Sequence, residues 1–166
     1  MDQPIPHCYW VVPGKFLAGE YPRTLDEASS REKIKALIDA GVTTFIDLTD
    51  TWDGLLPYDH FLETAAHQRF PIRDVSVPAS VEEAIAILDT IDYHLQQGEV
   101  VYLHCWGGIG RTGLIVGCWL ARHGFAGEAA LTRLRELWQA CSKAAICQSP
   151  ETAEQEQYVL SWPAGQ

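Results

Sequence analysis

Residues 100–120, VVYLHCWGGIGRTGLIVGCWL, join two apolar segments through a glycine-rich loop. The first segment, VVYLH, is rich in β-branched and aromatic residues and predicts a buried strand. The second, LIVGCWLARHG, predicts a buried helix that ends at Gly124. A strand followed by a helix is the unit of α/β folds, whose binding sites lie beyond the carboxyl ends of the strands. The loop that begins at Cys105 therefore lies where a functional site is expected.

The segments before this loop also alternate between helix and strand. TLDEASSREKIKALIDAG predicts a helix, with Thr24 and Glu27 at the spacing of a capping box. SVEEAIAILDTIDYHLQQG predicts a second helix that is capped in the same way by Ser80 and Glu83. VTTFIDL predicts a buried strand, and FPIRDV, around Ile72, predicts a shorter one.

Two further helices are predicted after the loop. They are GEAALTRLRELWQ and SPETAEQEQYVLSW, the latter with Ser149 as its cap. We therefore expect an α/β fold with a mainly parallel, four- to five-stranded sheet flanked by helices, in a single domain over residues 1–166. The Pro- and Gly-rich segments 1–14 and 162–166 are interpreted as terminal arms.

Composition excludes several classes of protein. The net charge of -10 disfavours nucleic acid and anionic membranes as partners, because phosphate backbones are bound by basic surfaces. No segment predicts a membrane-spanning helix or an export signal, so we expect a cytoplasmic protein, and a monomer. The 5 irregularly spaced cysteines argue against a disulfide framework and a zinc site, and no cofactor or metal is expected. Cys141 and Cys147 could form a regulatory disulfide, but free thiols are favoured.

Two interpretations of the loop lack a residue or an element that they require, and a third leaves too much unexplained. The glycines from Gly108 onward match the dinucleotide-binding pattern G-x-G-x-x-G, which also requires a second strand with an acidic end about 20 residues on. Here a second helix follows instead, with Glu128 and Glu136 on or near it. A phosphate-binding Walker loop requires lysine where Arg111 stands. A purely structural turn does not explain why Cys105 lies six positions before an arginine.

The remaining interpretation is a cysteine-dependent phosphatase. The amides of residues 106–111 can curl around one point, and the next helix directs its positive end there. Such a cradle binds a phosphate dianion and also stabilises a thiolate at Cys105. The loop glycines let the amides turn inward, and Arg111 offers a planar fork to two phosphate oxygens. The residues assigned to phosphate binding are Trp106, Gly107, Gly108, Ile109, Gly110 and Arg111.

The segment HCWGGIGRTG resembles the H-C-x5-R-[ST] signature of the protein tyrosine and dual-specificity phosphatases, with every fixed position filled. Its Gly-Gly-x-Gly form with an aromatic residue after the cysteine is similar to the loop of cyclin-dependent-kinase-associated phosphatases. VVPGKFLAGEYPRT, GVTTFIDLTD and SPETAEQEQYV resemble the family's opening segment, first long strand and closing helix. The resemblance implies hydrolysis of a phosphorylated protein or small phosphomonoester through a phosphocysteine intermediate.

Such hydrolysis also needs an acid for the leaving group and a base for water, and one carboxylate can serve as both. Asp50, Asp53 and Asp74 lie near predicted strand ends. In the family the acid lies on a mobile loop about 30 residues before the cysteine and is followed by a proline. Asp74, 31 residues before Cys105 and four before Pro78, fits this pattern. Asp53 is the second candidate, and a turn aspartate without a chemical role is the alternative for Asp74. The segment FPIRD departs from the Trp-Pro-Asp triplet of the larger tyrosine phosphatases.

The resemblance also assigns supporting roles. Thr112 would hydrogen-bond the departing sulfur, and His104 would orient the loop and support the thiolate; the alternatives are an ordinary first-turn threonine and an ordinary buried histidine. Gln155 resembles a glutamine that positions the attacking water in some relatives, but a polar residue on the helix face is favoured. Trp106 is expected to shape the pocket rim, and Cys118 is expected to pack in the core.

Two other functions share the signature. Inositol-phosphate and phosphoinositide phosphatases usually carry lysines in the loop, whereas Arg111 is the only basic residue of this one. A non-catalytic phosphate-binding module would be expected to lack the nucleophile or the arginine, and both are present. We therefore predict a protein tyrosine or dual-specificity phosphatase.

Overall fold

The computed structural model describes residues 2–166. The strands are β1 (Cys8–Val12), β2 (Phe16–Gly19), β3 (Thr44–Asp47), β4 (Ala66–Arg69) and β5 (Val101–His104). The helices are α1 (Glu27–Asp39), α2 (Val81–Gln96), α3 (Gly110–Arg122), α4 (Glu128–Trp138) and α5 (Ala153–Ser161). Short 3-10 helices lie at Thr51–Asp53, Asp59–Phe61 and Ser142–Ala145.

The strands form one sheet in the order β1-β2-β5-β3-β4. β1 and β2 are antiparallel, whereas β2, β5, β3 and β4 run parallel to their neighbours. The predicted α/β class, with a mainly parallel sheet flanked by helices, is confirmed. Gly19 and Asp47 both pair with His104, so the carboxyl ends of β2, β3 and β5 meet at one edge of the sheet.

Helices cover both faces of the sheet. Because successive side chains of a strand point to opposite faces, Leu17 and Ala18 of β2 belong to different hydrophobic clusters. Leu17 packs in the cluster that contains Ile34 and Leu37 of α1, and Ala18 packs in the cluster formed with α2 to α5. The sheet is therefore buried on both sides, which explains the continuous apolar run of β5.

Two of the predicted helix starts can be compared directly. Ser80 caps α2 as predicted, since its hydroxyl accepts a hydrogen bond from the Glu83 amide. The predicted capping pair of Thr24 and Glu27 is wrong, because Asp26 caps α1. A carboxylate and a hydroxyl are equally good acceptors for a first-turn amide at this position. The carboxylate also interacts favourably with the helix dipole.

The predicted strand around Ile72 is also wrong, although Ile72 is buried. The strand is β4, Ala66–Arg69, and it lies at the edge of the sheet with half-exposed polar side chains. Such a strand carries no apolar alternation for sequence analysis to detect, and Pro71 lacks the amide needed to extend the ladder.

The sequence suggested that segment 1–14 is a terminal arm, but part of it belongs to the sheet. Residues 8–12 form β1, which pairs with β2 and contributes Tyr9 to the main core. The last helix begins after Thr152 rather than at Ser149, which has another role described below.

The central helix α3 follows the loop directly, as predicted, and nearly all of its residues are buried. Cys118 has no exposed surface there, as expected for a core residue. Within residues 2–166, none of the helices combines the length and the apolar character needed to cross a membrane.

Candidate active site

The loop of residues 105–109 connects β5 to α3 at the edge where three strands end. Cys105 follows β5 directly and is 3% exposed. Because α3 begins at Gly110, its N-terminal end adjoins the loop. The structure therefore brings the cysteine, the glycines and a helix N-terminus together as the sequence predicted.

The loop is held from outside through its carbonyl groups. The bonds run from Tyr21 N to Trp106 O (2.8 Å), from Lys143 Nζ to Gly107 O (2.7 Å), and from Ser149 Oγ to Ile109 O (2.8 Å). Because the C=O and N–H of a trans peptide point in opposite directions, these bonds turn the following amides toward the inside of the loop. Within residues 2–166, the amides of 106–111 have no protein acceptor. The loop therefore offers a set of unused donors to an anion.

Gly108 lies where no other residue fits. Its φ of +73° is unfavourable for side-chain-bearing residues, and an added Cβ would lie 2.4 Å from the carbonyl carbon of Gly19. The end of β2 thus packs directly against the loop. Gly19 is crowded by other neighbours, since a Cβ there would lie 2.7 Å from both the His7 carbonyl oxygen and the Tyr102 hydroxyl.

Arg111 lies in the first turn of α3 with its side chain 1% exposed. Its Nη1 donates to Asp53 Oδ2 (2.7 Å) and to the carbonyl of Ile72 (3.0 Å). Its Nη2 lies 2.8 Å from Asp74 Oδ1, but the N–H groups are not aligned with that carboxylate, so this is a charge contact without a well-formed hydrogen bond. Both candidate acids therefore meet at the same guanidinium group.

The two aspartates differ in exposure and in their other contacts. Asp53 has a side chain that is 4% exposed, and its Oδ2 also accepts a hydrogen bond from the Asp50 amide. Asp74 has a side chain that is 48% exposed. Asp53 is thus tied into the protein, while Asp74 is open to a solute that enters the loop.

The segment that carries Asp74 connects β4 to α2 and is strained. Val75, the next residue, has a φ of +53°. This conformation costs a β-branched residue roughly 1–3 kcal/mol and is found mainly where the surrounding structure enforces it. One constraint is the hydrogen bond from Gln155 Nε2 to the carbonyl of Ser76 (2.9 Å).

Gln155 is buried rather than on a polar helix face, so the favoured interpretation of this residue is wrong. Its Oε1 accepts hydrogen bonds from the amides of Glu151 and Thr152 (3.2 Å each), which caps α5. Its amide group also lies against Gly110, where a Cβ would come within 2.8 Å of Oε1. Gln155 therefore joins α5, the Asp74 segment and the loop; its role toward water stays a prediction.

His104 is completely buried below the loop. Its Nε2 lies 2.5 Å from the Tyr58 hydroxyl and its Nδ1 lies 3.2 Å from the carbonyl oxygen of Cys105. Burial lowers the pKa of His104 to about 4, so the ring is neutral at pH 7. These partners fit a proton on Nδ1, which donates to the Cys105 carbonyl while Nε2 accepts from Tyr58. The histidine thus orients the peptide that follows the cysteine.

Thr112 has a buried hydroxyl that no residue among 2–166 satisfies. An unsatisfied buried polar group is costly and calls for an explanation such as a partner present only in another state. Among the cysteines, all five are free thiols, so Cys141 and Cys147 form no disulfide in this structure.

The mouth of the loop opens beside an apolar cleft of about 350 Å³. Trp106, 52% exposed, lies on its rim as predicted. Its other lining includes Leu25 and Leu56, which are 92% and 43% exposed, and Asp53. The next residue to Asp53, Trp52, is 90% exposed. This concentration of exposed apolar side chains lies directly next to the loop of residues 105–109.

The chain is similar to known proteins over most of its length. Residues 5–159 match the family described as Swiss Army Knife protein, DSP-PTPase phosphatase domain. The chain belongs to this phosphatase family. The putative tyrosine phosphatase 067L of invertebrate iridescent virus 3 is 34% identical over 115 residues, which cover 68% of this chain and 45% of that protein. The chain spans about half the length of the curated relatives it matches.

Solved structures agree with the fold. Kinase associated phosphatase (KAP), solved with its catalytic site cysteine substituted by serine, aligns with a TM-score of 0.74 at 15% identity over 92% of this chain and 90% of that one. PTPMT1, solved in complex with PI(5)P, aligns with a TM-score of 0.70 at 15% identity over 93% of each chain. At this identity the likeness concerns the fold alone.

Sequence analysis missed the residues that support the loop from outside. They are Tyr21, Tyr58, Lys143 and Ser149, and only Ser149 had been singled out, as a helix cap. Tyr21, Lys143 and Ser149 each reach the loop with a single group, and Tyr58 acts on it through His104. All four lie far from the loop in sequence. No local pattern marks such residues, because the contact depends on how distant segments pack.

Proposed function

We propose that this chain hydrolyses phosphomonoesters through a phosphocysteine intermediate and acts on phosphorylated tyrosine, serine or threonine in proteins. Cys105 is the proposed nucleophile, and the amides of residues 106–111 with Arg111 are the proposed phosphate site. The observation that carries the proposal is the set of inward amides whose peptides are held by outward carbonyl bonds. Donors fixed before substrate arrives stabilise developing negative charge without reorganisation.

The first step forms a bond between sulfur and phosphorus. The Cys105 thiolate attacks the phosphorus, the bond from phosphorus to the leaving oxygen breaks, and Asp74 gives that oxygen a proton. In the second step water attacks the phosphocysteine, Asp74 takes a proton from the water, and the sulfur leaves as a thiolate. The products are inorganic phosphate and an alcohol or phenol, and the enzyme returns to its starting state.

Two observations support the roles of Asp74 and Thr112. Asp74 is the more exposed of the two carboxylates at Arg111, so a leaving group can reach it. A bound phosphate would compete for the same guanidinium and release Asp74 for proton transfer. The unsatisfied hydroxyl of Thr112 would gain a partner in the departing sulfur.

The surroundings favour a protein substrate over a phosphoinositide. The bound PI(5)P of PTPMT1 keeps the phosphoinositide alternative open, because that protein shares the fold. However, the cleft next to the loop is lined by the apolar side chains of Leu25, Leu56 and Trp106, and its charged lining residues are Arg23 and Asp53. Among residues 2–166, a highly phosphorylated ring would meet a single cation in this cleft, Arg23, and the carboxylate of Asp53 would repel its other phosphates. An uncharged side chain beside a phosphorylated residue would instead gain apolar contacts.

The proposal is tested by replacing Cys105 with serine. Cys105→Ser should lose measurable turnover of p-nitrophenyl phosphate while it still binds tungstate, because the loop amides remain. A tungstate-dependent rise in Tm measures the binding. Turnover that survives in this variant would contradict the nucleophile assignment.

The substrate class is tested with a panel of phosphotyrosine peptides, phosphothreonine peptides and phosphoinositides. We expect the highest kcat/KM with the peptides. A strong preference for the phosphoinositides would replace this part of the proposal but leave the chemistry intact.

A further inference from the structure

A half-buried group of three charged side chains lies outside the loop and has no place in the proposed reaction. Glu20 follows β2, and its two carboxylate oxygens bind Lys33 Nζ (2.6 Å) and Lys143 Nζ (2.9 Å). All three side chains are between 15% and 19% exposed. Burial opposes ionisation of Glu20, but the hydrogen bonds from both lysines outweigh it and lower its pKa. The carboxylate is therefore charged at neutral pH and holds both ammonium groups.

The two lysines of this group have different further contacts. Lys143 Nζ also donates to the carbonyl of Gly107 in the loop (2.7 Å). Lys33, on α1, makes its contact with Glu20. Lys143 is thus shared between a carboxylate and the loop, whereas Lys33 serves as an internal comparison that has the same ion-pair partner.

The peptide held by Lys143 is the one that most needs holding. It joins Gly107 to Gly108, and neither residue has a Cβ to restrict rotation of the peptide plane. The reversed orientation would direct the Gly107 carbonyl into the loop, where its negative end would repel a phosphate. With Lys143 bound to this carbonyl, the Gly108 amide points inward instead.

We propose that Lys143 is a positioning residue that keeps the Gly107–Gly108 peptide in its anion-binding orientation, with Glu20 fixing the lysine. The inference rests on the proposed function, since it concerns the phosphate site of the same reaction. The carbonyls of Trp106 and Ile109 accept from neutral donors, an amide and a hydroxyl. Of the three held carbonyls, the one that accepts from a charged donor is that of Gly107, whose peptide lies between two glycines. A charged donor gives a stronger hydrogen bond than a neutral one.

Three variants separate positioning from general stability. Lys143→Met keeps an unbranched side chain but removes the donor, Lys143→Arg keeps a charged donor, and Lys33→Met removes the other ion pair of Glu20. For each we would measure Tm, the dissociation constant of tungstate, and kcat and KM for p-nitrophenyl phosphate. Tungstate serves as the probe because it is an oxyanion that needs no turnover.

Lys143→Met should weaken tungstate binding and lower kcat/KM by about 10- to 100-fold, the range of one strong hydrogen bond to an anion. Lys143→Arg should recover both values to within about threefold of the natural protein. Lys33→Met should stay within about threefold in both, even where its Tm falls as far as that of Lys143→Met. Equal tungstate affinity in Lys143→Met and Lys33→Met would overturn the proposal.

A further variant covers the case in which Lys143→Met does not fold. Glu20→Gln leaves Lys143 in place without its charged anchor, and it should weaken tungstate binding by a smaller factor than Lys143→Met, about 3- to 10-fold. Unchanged affinity in a folded Glu20→Gln protein would overturn the role of the carboxylate. Failure of the proposed function would look different, since Cys105→Ser would then retain turnover whatever the lysine variants did.

Discussion

Asp53 and Asp74 contact the two terminal nitrogens of one guanidinium group, yet they lie in opposite environments. The Asp53 side chain is 4% exposed and also accepts the Asp50 amide, whereas the Asp74 side chain is 48% exposed on a segment strained at Val75. A carboxylate already bonded on both sides fixes the position of Arg111. A carboxylate that faces solvent can exchange a proton with a substrate. Contact with the arginine alone therefore does not distinguish a support from an acid.

The same division separates the two sides of the loop. The outer side is held by buried groups with defined partners, among them His104 and Ser149. The mouth is formed by exposed side chains such as Trp106 and Leu25. We expect changes on the outer side to affect every substrate alike, and changes at the mouth to depend on the leaving group.

The largest expected effect comes from Asp74→Asn with a basic leaving group. This variant should lower kcat/KM for a phosphoserine peptide by roughly 10²- to 10⁴-fold, the usual contribution of general acid catalysis. With p-nitrophenyl phosphate the loss should be much smaller, because p-nitrophenolate leaves without a proton. The ratio of kcat/KM for the two substrates measures the effect.

Asp53→Asn is the matched control for that ratio, since it removes the same charge from the other side of Arg111. It should leave the ratio close to that of the natural protein. If Asp53→Asn changed the ratio and Asp74→Asn did not, the acid would lie in the 51–54 segment and the assignment would be reversed.

The second prediction concerns acid stability on the buried side. Burial lowers the pKa of His104 from 6.5 to about 4. Between pH 6.5 and pH 4 this histidine is therefore protonated in the unfolded chain but neutral in the folded protein. The resulting stability is present above pH 6.5 and is lost as the pH falls to about 4. At about 1.4 kcal/mol per pKa unit, the loss approaches roughly 3 kcal/mol.

Urea unfolding at several pH values would measure this loss. Asp47 contributes in the same direction: burial opposes its ionisation, but nearby His104 and hydrogen bonds from His67 and Thr49 outweigh it and lower its pKa. His104→Gln, which keeps an acceptor for Tyr58, should flatten the decline between pH 6.5 and 4. The exposed His60, replaced by glutamine, should leave the decline unchanged. An unaltered slope in His104→Gln would contradict the assignment to this ring.

The third prediction is a uniform loss in Asp53→Asn. The variant removes a charged hydrogen bond of about 1.5–3 kcal/mol from Arg111, which should reduce kcat/KM by about 10- to 100-fold for peptides and p-nitrophenyl phosphate alike. Its Tm should also fall, because a buried guanidinium loses its charged partner. Asp74→Asn should leave Tm nearly unchanged. A larger fall in Tm for Asp74→Asn than for Asp53→Asn would contradict the assignment of Asp53 as the support of Arg111.

Sequence analysis predicted the parts of the site that follow one another along the chain. Cys105, the glycines, Arg111 and the start of α3 form a continuous segment, and its strand and helix have strong apolar patterns. The position of Asp74 followed from its distance to the cysteine in the family that the loop resembles. The pairing of Asp53 with Arg111 was not predicted, because it depends on how a turn after β3 packs against α3.

Among the strands, β3 and β5 were predicted, whereas β1, β2 and β4 were not. β3 and β5 are buried on both faces and carry β-branched runs. β4 is an edge strand of polar residues, and β1 lies in a segment whose prolines and glycine suggest an arm. Lys143 and Tyr21 reach the loop from segments that local patterns describe only as turns. Their roles become visible only through tertiary contacts.

The smallest expected effect lies at the mouth, where apolar contact with a peptide should change KM alone. A leucine that becomes partly buried on binding contributes a fraction of the ~1.5–3 kcal/mol gained by complete burial. Leu25→Ala and Leu56→Ala should therefore each raise KM by about 3- to 10-fold for a phosphopeptide with a leucine or phenylalanine next to the phosphorylated residue. Neither should change kcat, because neither side chain contacts the reacting atoms.

Two comparisons decide whether this effect belongs to the cleft. Tyr93→Ala removes an exposed aromatic side chain from α2, outside the cleft, and should leave KM unchanged. A peptide with alanine at the neighbouring position, which has little apolar surface to bury, should lose nothing further in the leucine variants. p-Nitrophenyl phosphate is too small to fill the cleft, so its KM should stay the same in the leucine variants. An equal rise in its KM would show that the leucines act on the loop itself, and would contradict the expectation that changes at the mouth depend on the substrate.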